Sequence, residues 1–513
     1  DPQGAMEEID VEMNVIRDFA RRVLLSEETF QEEGNTFVNM FSGEWSGTSK
    51  LNKYDLSSMY FNYAGSIYSQ NFPIIDIVMN TMLKQEESDQ GRHFFRMFNG
   101  MGDDQRAASY LNGKSFEQAV LDNTLSTEVF YEMMKLKGVY LRNYINSRLS
   151  SNEFKEFMAE FTKRYQFQEV NFTRLNSEFI RKFHFNLMDF IPNWYTINST
   201  PRFIVKGVDA DQVEVGDYTK YIVKFQVYNP TNVEGVISVN VEEGGGMFPG
   251  GPRGRRGRAA QMEAKPAKNY IIEPQKYKEI RILCDERPSN LTINTNISQN
   301  LPSTIMQNFA KVTTTTTDTV TGIFDSNATL FTFNPKEITV DNEDPGFRII
   351  ESNQKNKLQS FFKKESEDKY KNLNFWMPPS RWTATIGVNY YGDYINSAVY
   401  KKSGSGSNKT EWTTQIQIPG FYEVFVYTSE LPMMGWRHRG GEEKKIQYYT
   451  VKHDDGEEEI SVETGRGRQG WRTLGSFYFS KGEAKITLSD KGSESNQIIF
   501  ADAVKWVYTN NNK

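Results

Sequence analysis

Histidine and cysteine are nearly absent from this 513-residue chain, which has one cysteine, Cys284, and four histidines, His93, His184, His438 and His453. A single thiol excludes an internal disulfide. Cys284 sits in the alternating stretch EIRILCDE and reads as a small buried hydrophobe rather than a nucleophile. No two histidines stand at ligand spacing and no H-E-x-x-H occurs, so the helical zinc-hydrolase motif is excluded. No cofactor and no bound metal are expected. No run approaches the roughly twenty apolar residues of a membrane-spanning helix, and no signal-peptide pattern is present. A dominant charge is missing too: 60 Lys and Arg against 66 Asp and Glu leave −6, so no nucleic-acid partner is expected. Low cysteine is compatible with cytoplasm and periplasm alike.

Aromatics are plentiful, with 36 Phe, 26 Tyr and 8 Trp, and the length suffices for two to four domains. Residues 1–6, DPQGAM, read as a cloning remnant, so the chain is expected to be a piece of something larger. Residues 7–200 follow a helical period. Ser150 with Glu153 forms a capping-box pattern, and Phe154, Phe157, Met158, Phe161 and Tyr165 share one helix face, a stripe that predicts core. From 201 the period becomes alternating: RFIVKGV, YTKYIVKFQVYN, EGVISVNVEE, NYIIEP and YKEIRILCDE predict antiparallel strands of an immunoglobulin-like sandwich over 201–335. The VTTTTTD run at 312–318 suits an edge strand or a linker. Asp341, Asn342, Glu343 and Asp344 precede Pro345 without the alternating spacing of a calcium loop, which predicts a turn. Residues 336–513 alternate again, with turns expected at Asp455-Gly456, Lys481-Gly482 and Lys491-Gly492, and predict a jelly-roll-like sandwich. The fold class expected is therefore α+β and multidomain.

One segment interrupts the first sandwich. Residues 244–268 are rich in Gly, Pro and Ala, and carry Arg253, Arg255, Arg256 and Arg258. Such a composition cannot build a core and predicts a mobile hairpin loop. The loop is either a basic arm for an anionic partner or a solvated connection.

Two stretches resemble known families. VNMFSGEWSGTS at 38–49, YFNYAGS at 60–66 and FYEMMKLKGVYL at 130–141 resemble the active-site half of gluzincin aminopeptidases with the zinc ligands lost. Laying Trp45 and Gly47 on that family's W-x-G places Asn39 and Gly43 at the two histidine positions and Met40 at the general base. Tyr63, or Asn62 on stricter spacing, stands at the third ligand, and Lys135 replaces the tyrosine of Y-x-K-G, with Lys137 and Gly138 intact. Asn and Gly cannot replace imidazole as strong zinc ligands and Met cannot take a proton, so the resemblance implies a degenerate peptidase-like module.

The second resemblance spans the C-terminal region. Pro419, Gly420, Tyr422 and Val424; Tyr449, Val451, His453 and Gly456; Trp471, Leu474, Gly475 and Phe477; and Ala501, Asp502, Ala503 and Val504 resemble the pattern of the golvesin C-terminal, xanthan lyase carbohydrate-binding-like domain. The resemblance implies a β-sandwich and a polysaccharide or cell-surface glycan as ligand, a protein partner being the other option. Trp376, Trp382, Tyr390, Tyr391, Tyr394, Trp412, Trp436 and Trp471 could furnish a sugar-stacking face, although most should be core. The best candidates are Tyr390, Tyr391 and Tyr394 in NYYGDYINS, with Trp436 in MMGWRHRGG. His453 is expected to make a structural hydrogen bond at a hairpin end, and Asp502 to satisfy buried backbone groups.

These readings converge on a non-catalytic binding or scaffold region, periplasmic or on the cell surface, that meets a membrane only through segments outside this chain. The alternative is the C-terminal part of an active zinc metallopeptidase or polysaccharide-processing enzyme whose catalytic residues lie upstream. A third reading, a glycan-acting enzyme of another class, requires a pair of carboxylates at a defined separation.

Overall fold

A computed structural model describes residues 67–72, 75, 78, 102–165, 170–244, 267–309, 312, 314–351, 369–374, 376–429, 445–465, 468–494 and 496–509. The expected peptidase-motif positions Asn39, Met40, Gly43 and Tyr63 lie outside them. The architecture is mixed, with helices first and sheets after. None of the described helices is long and apolar enough to cross a membrane.

The helical part holds α1 (Asp103–Tyr110), α2 (Phe116–Leu121), α3 (Thr127–Asn146), α4 (Ser151–Arg164), α5 (Phe172–Phe183) and α6 (Ile191–Thr196). A short parallel pair, β1 (Ile67–Tyr68) with β2 (Val170–Asn171), lies beside them. The side chains of Ser115, Ser126, Ser150 and Asn171 each accept from a first-turn N–H, which satisfies donors the helix cannot. The expected box at Ser150 closes, with Glu153 accepting from the Ser150 N–H at 2.9 Å. The aromatic stripe of α4 is core: Phe154, Phe157, Met158, Phe161 and Tyr165 are buried, and the Phe157 ring meets Phe179 and Phe183 of α5 at 5.2 and 5.3 Å.

Among the described residues these strands come next: β3 (Ile204–Val215), β4 (Tyr218–Tyr228), β5 (Gly235–Glu243), β6 (Lys268–Ile272), β7 (Tyr277–Cys284), β8 (Pro288–Asn294), β9 (Thr304–Asn308), β10 (Thr315–Thr316) and β11 (Gly322–Asp325). They form two sheets, ordered β10-β3-β4-β7-β11 and β6-β5-β8-β9. Phe225, Val227, Ile237, Val239, Ile280 and Leu291 from both sheets make one core, and Cys284 is fully buried among them. The threonine run resolves as an edge strand, since β10 pairs parallel to β3. β5 and β6 pair antiparallel, so the basic segment joins a hairpin; Arg253, Arg255, Arg256 and Arg258 themselves lie outside the described residues. The helices rest directly on this unit. Val236 and Ile297 belong to the helical core, and Asn143 of α3 donates to Asn296, which in turn donates to the Val236 carbonyl, both at 2.8 Å.

The C-terminal unit holds β12 (Glu337–Val340), β13 (Phe347–Ile350), β14 (Thr383–Ile386), β15 (Ser397–Lys402), β16 (Lys409–Ile416), β17 (Gly420–Thr428), β18 (Lys445–His453), β19 (Gly456–Thr464), β20 (Gly470–Phe479), β21 (Gly482–Gly492), β22 (Ile498–Ala501) and β23 (Val504–Thr509). The sheets run β12-β23-β17-β20, β13-β16-β21-β18-β19 and β14-β15-β22. Trp412, Trp506, Tyr422, Tyr449, Ile486 and Leu488 fill the space between the first two. The turns before Gly456 and Gly482 form where expected. Lys491-Gly492 is a correction, because it ends strand β21 rather than turning. Below the core, Lys401 forms an ion pair with Asp490, the side chains being 3% and 0% exposed. Asp490 also accepts from Asn408 Nδ2 at 2.9 Å and the Gly406 N–H at 2.7 Å.

A narrow seam joins the two β units. Leu301 N–H donates to the Tyr394 carbonyl at 2.9 Å, and Asn396 N–H donates to the Leu301 carbonyl at 2.7 Å. Arg202 stacks its guanidinium 4.0 Å from the Tyr394 ring centre, and Lys206 stands 3.5 Å from Asp393.

Candidate binding surface of the C-terminal unit

Most aromatics named from the sequence are used for packing. Trp382, Tyr390 and Trp412 are buried, and the Tyr390 ring lies 5.9 Å from Phe500. Tyr394 serves the seam under Arg202. Tyr391 is half-buried in a trio with Tyr427 and Trp471, at 5.7 and 5.1 Å. Trp436 lies outside the described residues. Trp376 is 80% exposed, beside Met377 at 76%.

The loop that carries Trp376 is held at many points. Lys371 N–H donates to the Ala384 carbonyl and Lys402 N–H to the Pro379 carbonyl, both at 2.8 Å. The Tyr400 hydroxyl accepts from Asn374 N–H and donates to the Asn372 carbonyl, each at 3.0 Å. Asn374 Oδ1 accepts from Met377 N–H at 2.9 Å, closing a local turn, and Pro378-Pro379 stiffen its C-terminal side. Leu373 is buried beneath, against Tyr390 and Tyr400. The indole is therefore presented from an ordered backbone. Lys371, Asn372, Asn374, Ser380 and Arg381, on the same stretch of chain, are also exposed. A flat apolar ring with amides, a hydroxyl and cations on the same stretch matches the alternating apolar faces and hydroxyls of a sugar. From the sequence Trp376 is one aromatic among eight; its Pro-Pro context is the only local signal that it stands on a stiff loop.

A second cluster lies around Asp502. Its carboxylate accepts from Tyr391 N–H at 3.2 Å and from Ser429 Oγ at 3.0 Å, while its carbonyl accepts from Trp412 Nε1 at 3.0 Å. The expected satisfaction of buried backbone groups by Asp502 is thus present. Burial pushes its carboxyl well above the usual range. Asp341, just past the end of β12, is also buried; desolvation and then the neighbouring Asp502 charge raise it to about 9. The residues around it form the predicted turn: Asp341 N–H donates to Asp344 Oδ2 at 2.8 Å, and Asp344 N–H to the Asp341 carbonyl at 3.1 Å. Among the described residues no group of three or more His, Cys, Asp or Glu could hold a metal ion.

Two further site expectations concern Lys135 and His453. Lys135 lies on the flank of α3, paired with Glu132 at 2.6 Å and over the Tyr131 ring at 4.0 Å. His453 ends β18 with its ring 5.0 Å from Phe477. Its Nδ1 is buried without a hydrogen-bond partner, and the contact with Phe477 is one of packing.

Residues 371–508 match the Golvesin C-terminal domain family. No curated protein matches the chain. Among solved structures, a Paenibacillus xanthan lyase aligns at 14% identity and TM-score 0.24, over 60% of this chain and 26% of its own. A two-domain Bacteroides fragilis protein of unknown function aligns at 9% identity and TM-score 0.15, over 60% and 94%. The chain thus spans about a quarter of the lyase it matches. None of these findings supports the aminopeptidase-like reading of the helical part.

Proposed function

We propose that this chain is a non-catalytic binding and scaffold region acting outside the cytoplasm, whose C-terminal domain engages polysaccharide through Trp376. The observation that carries the reading is an indole 80% exposed on a hydrogen-bonded loop inside the stretch that matches the Golvesin C-terminal domain. Leaving so large an apolar surface in water forgoes burial that elsewhere in this domain makes the core, and ordered exposure of this kind marks binding surfaces. Tyr391, half-exposed beside Trp471, is a secondary contact in this reading, as is Trp436. The immunoglobulin-like and jelly-roll-like descriptions of the two β units belong to the same proposal, supported by two sheets around one core in the first and by two facing sheets, with a smaller third sheet over its own cluster, in the second.

Affinity electrophoresis through gels containing bacterial exopolysaccharides tests the proposal. The full chain should be retarded by at least one polymer, and Trp376→Ala should weaken that retardation by roughly thirtyfold in Kd, as for a loss of about 2 kcal/mol at an aromatic anchor. The melting temperature should stay unchanged, because the ring contributes little to the core. Equal retardation of Trp376→Ala and the parent would sink the assignment.

A further inference from the structure

A cavity lies where the helices meet the first β unit. Its volume is about 40 Å³, it is partly open to solvent, and Lys137, Tyr140, Trp194, Thr200, Glu234 and Ile297 line it. It has room for roughly three water-sized groups. Lys137 comes from the buried face of α3 and is only 3% exposed. Its Nζ donates to the Trp194 carbonyl at 2.5 Å and stands 5.2 and 5.7 Å from the ring centres of Trp194 and Phe116. Among the described residues no carboxylate lies within ion-pair distance of it. The ring faces and the carbonyl offset part of an ammonium's desolvation, but a buried charge without a counter-charge remains costly. Burial holds Lys137 down to about 7.

The other wall of the cavity is polar. Thr200 is 3% exposed and its Oγ1 has no hydrogen-bond partner. Tyr140 is three residues along the same helix face, and Glu234 precedes β5; these two are the titratable groups that share the cavity with Lys137. Both are raised above their usual ranges, mainly by burial. The site therefore combines a desolvated amine, an unused hydroxyl and two weak acids around a space the size of a small organic molecule.

We propose that Lys137 is a covalent capture site for short hydroxy-aldehydes and ketones, condensing with the carbonyl group inside this cavity. The amine nitrogen adds to the carbonyl carbon to give a carbinolamine. Loss of water then forms the C=N bond: the carbonyl oxygen departs with the two amine protons, and no oxidant or reductant is required. Thr200, Tyr140 and Glu234 line the same cavity: in this proposal Thr200 Oγ1 donates to the carbonyl oxygen, and a neighbouring O–H relays a proton to the departing water and regains one from the amine. The size of the cavity restricts the buried part of the ligand to about three heavy atoms.

The test uses the full chain with glycolaldehyde and cyanoborohydride at pH 6 to 10, followed by peptide mass spectrometry of every lysine. At pH 7 about a thousandfold more of the Lys137 amine is in its free-base form than of an exposed lysine. Restricted access reduces this advantage, and labelling at least about tenfold faster than the median surface lysine is expected. The Lys137 rate should level off near pH 7 while the others keep rising. Thr200→Val should slow Lys137 alone, with melting unchanged. Lys137 labelling no faster than the surface lysines at pH 7, or climbing with them to pH 10, overturns the proposal; neither readout depends on a variant folding.

Discussion

Asp490→Ala should lower the stability of the C-terminal unit by about 3–5 kcal/mol, among the largest single-residue losses available in this chain. Asp490 is fully buried and pairs with Lys401, itself 3% exposed. Removing the carboxylate strands an ammonium in the interior and also unmakes the bonds from Asn408 Nδ2 and Gly406 N–H. Burial works against the charged Asp490, yet Lys401, Asn408 and the Gly406 amide outweigh it and hold the carboxyl below its usual range. The loss therefore appears at neutral pH, where the pair is intact. Urea unfolding followed by tryptophan emission would measure it, and the double variant Lys401→Met, Asp490→Leu should recover much of it, because it removes both charges together. A loss under about 1 kcal/mol for Asp490→Ala would mean that water or another group compensates the lysine.

The second large effect depends on pH. Asp341 is raised to about 9 by burial and by the Asp502 charge. A carboxyl whose folded value exceeds its unfolded value of about 3.9 binds more protons in the native state. Its stabilising contribution is complete below about pH 4 and is lost as the pH climbs through 9. The C-terminal unit should accordingly melt lower at pH 8.5 than at pH 5. Asp341→Asn stays neutral at every pH, and its side-chain oxygen can still accept from the Asn342 N–H, a bond of 2.8 Å in the parent. The variant should melt a few degrees above the parent at pH 5, about one unit past the unfolded value, and by well over that at pH 8.5, since each pH unit between the two values costs the parent about 1.4 kcal/mol and each 1 kcal/mol is worth roughly 2–4 °C in a unit of this size. A variant that melts lower at both pH values would show that the acid is needed for its geometry rather than tolerated as a proton holder.

Much of the fold was legible because it is written in periods. The α4 stripe of Phe154, Phe157, Met158 and Phe161 follows the helical repeat, and β4, β5 and β7 follow the repeat of two, so each names its own buried face. Lys491-Gly492 looked like a turn because that dipeptide favours one. Pairing with β18 across Gln447 and Gly492 carries the strand through it instead, which is tertiary context overriding local chemistry.

The candidate sites were less legible, for a related reason. Whether an aromatic is a platform or a brick depends on which surface meets it, and Tyr390 and Trp376 are only fourteen positions apart with opposite fates. The raised carboxyl of Asp341 depends on burial first and then on Asp502, which the pairing of β12 with β23 brings near. Lys137 drew notice in the sequence as part of a K-G pair. Its burial comes from Trp194, fifty-seven residues further on, whose carbonyl receives its amine.

The seam has a mechanical consequence. Two backbone hydrogen bonds and the Arg202–Tyr394 stack join position 301 directly to 394–396. The two β units are thus fastened to each other through residues ninety-odd positions apart along the chain, so a pull between 301 and 394 bears on this contact before it reaches the strands β9 to β14 that are paired in between.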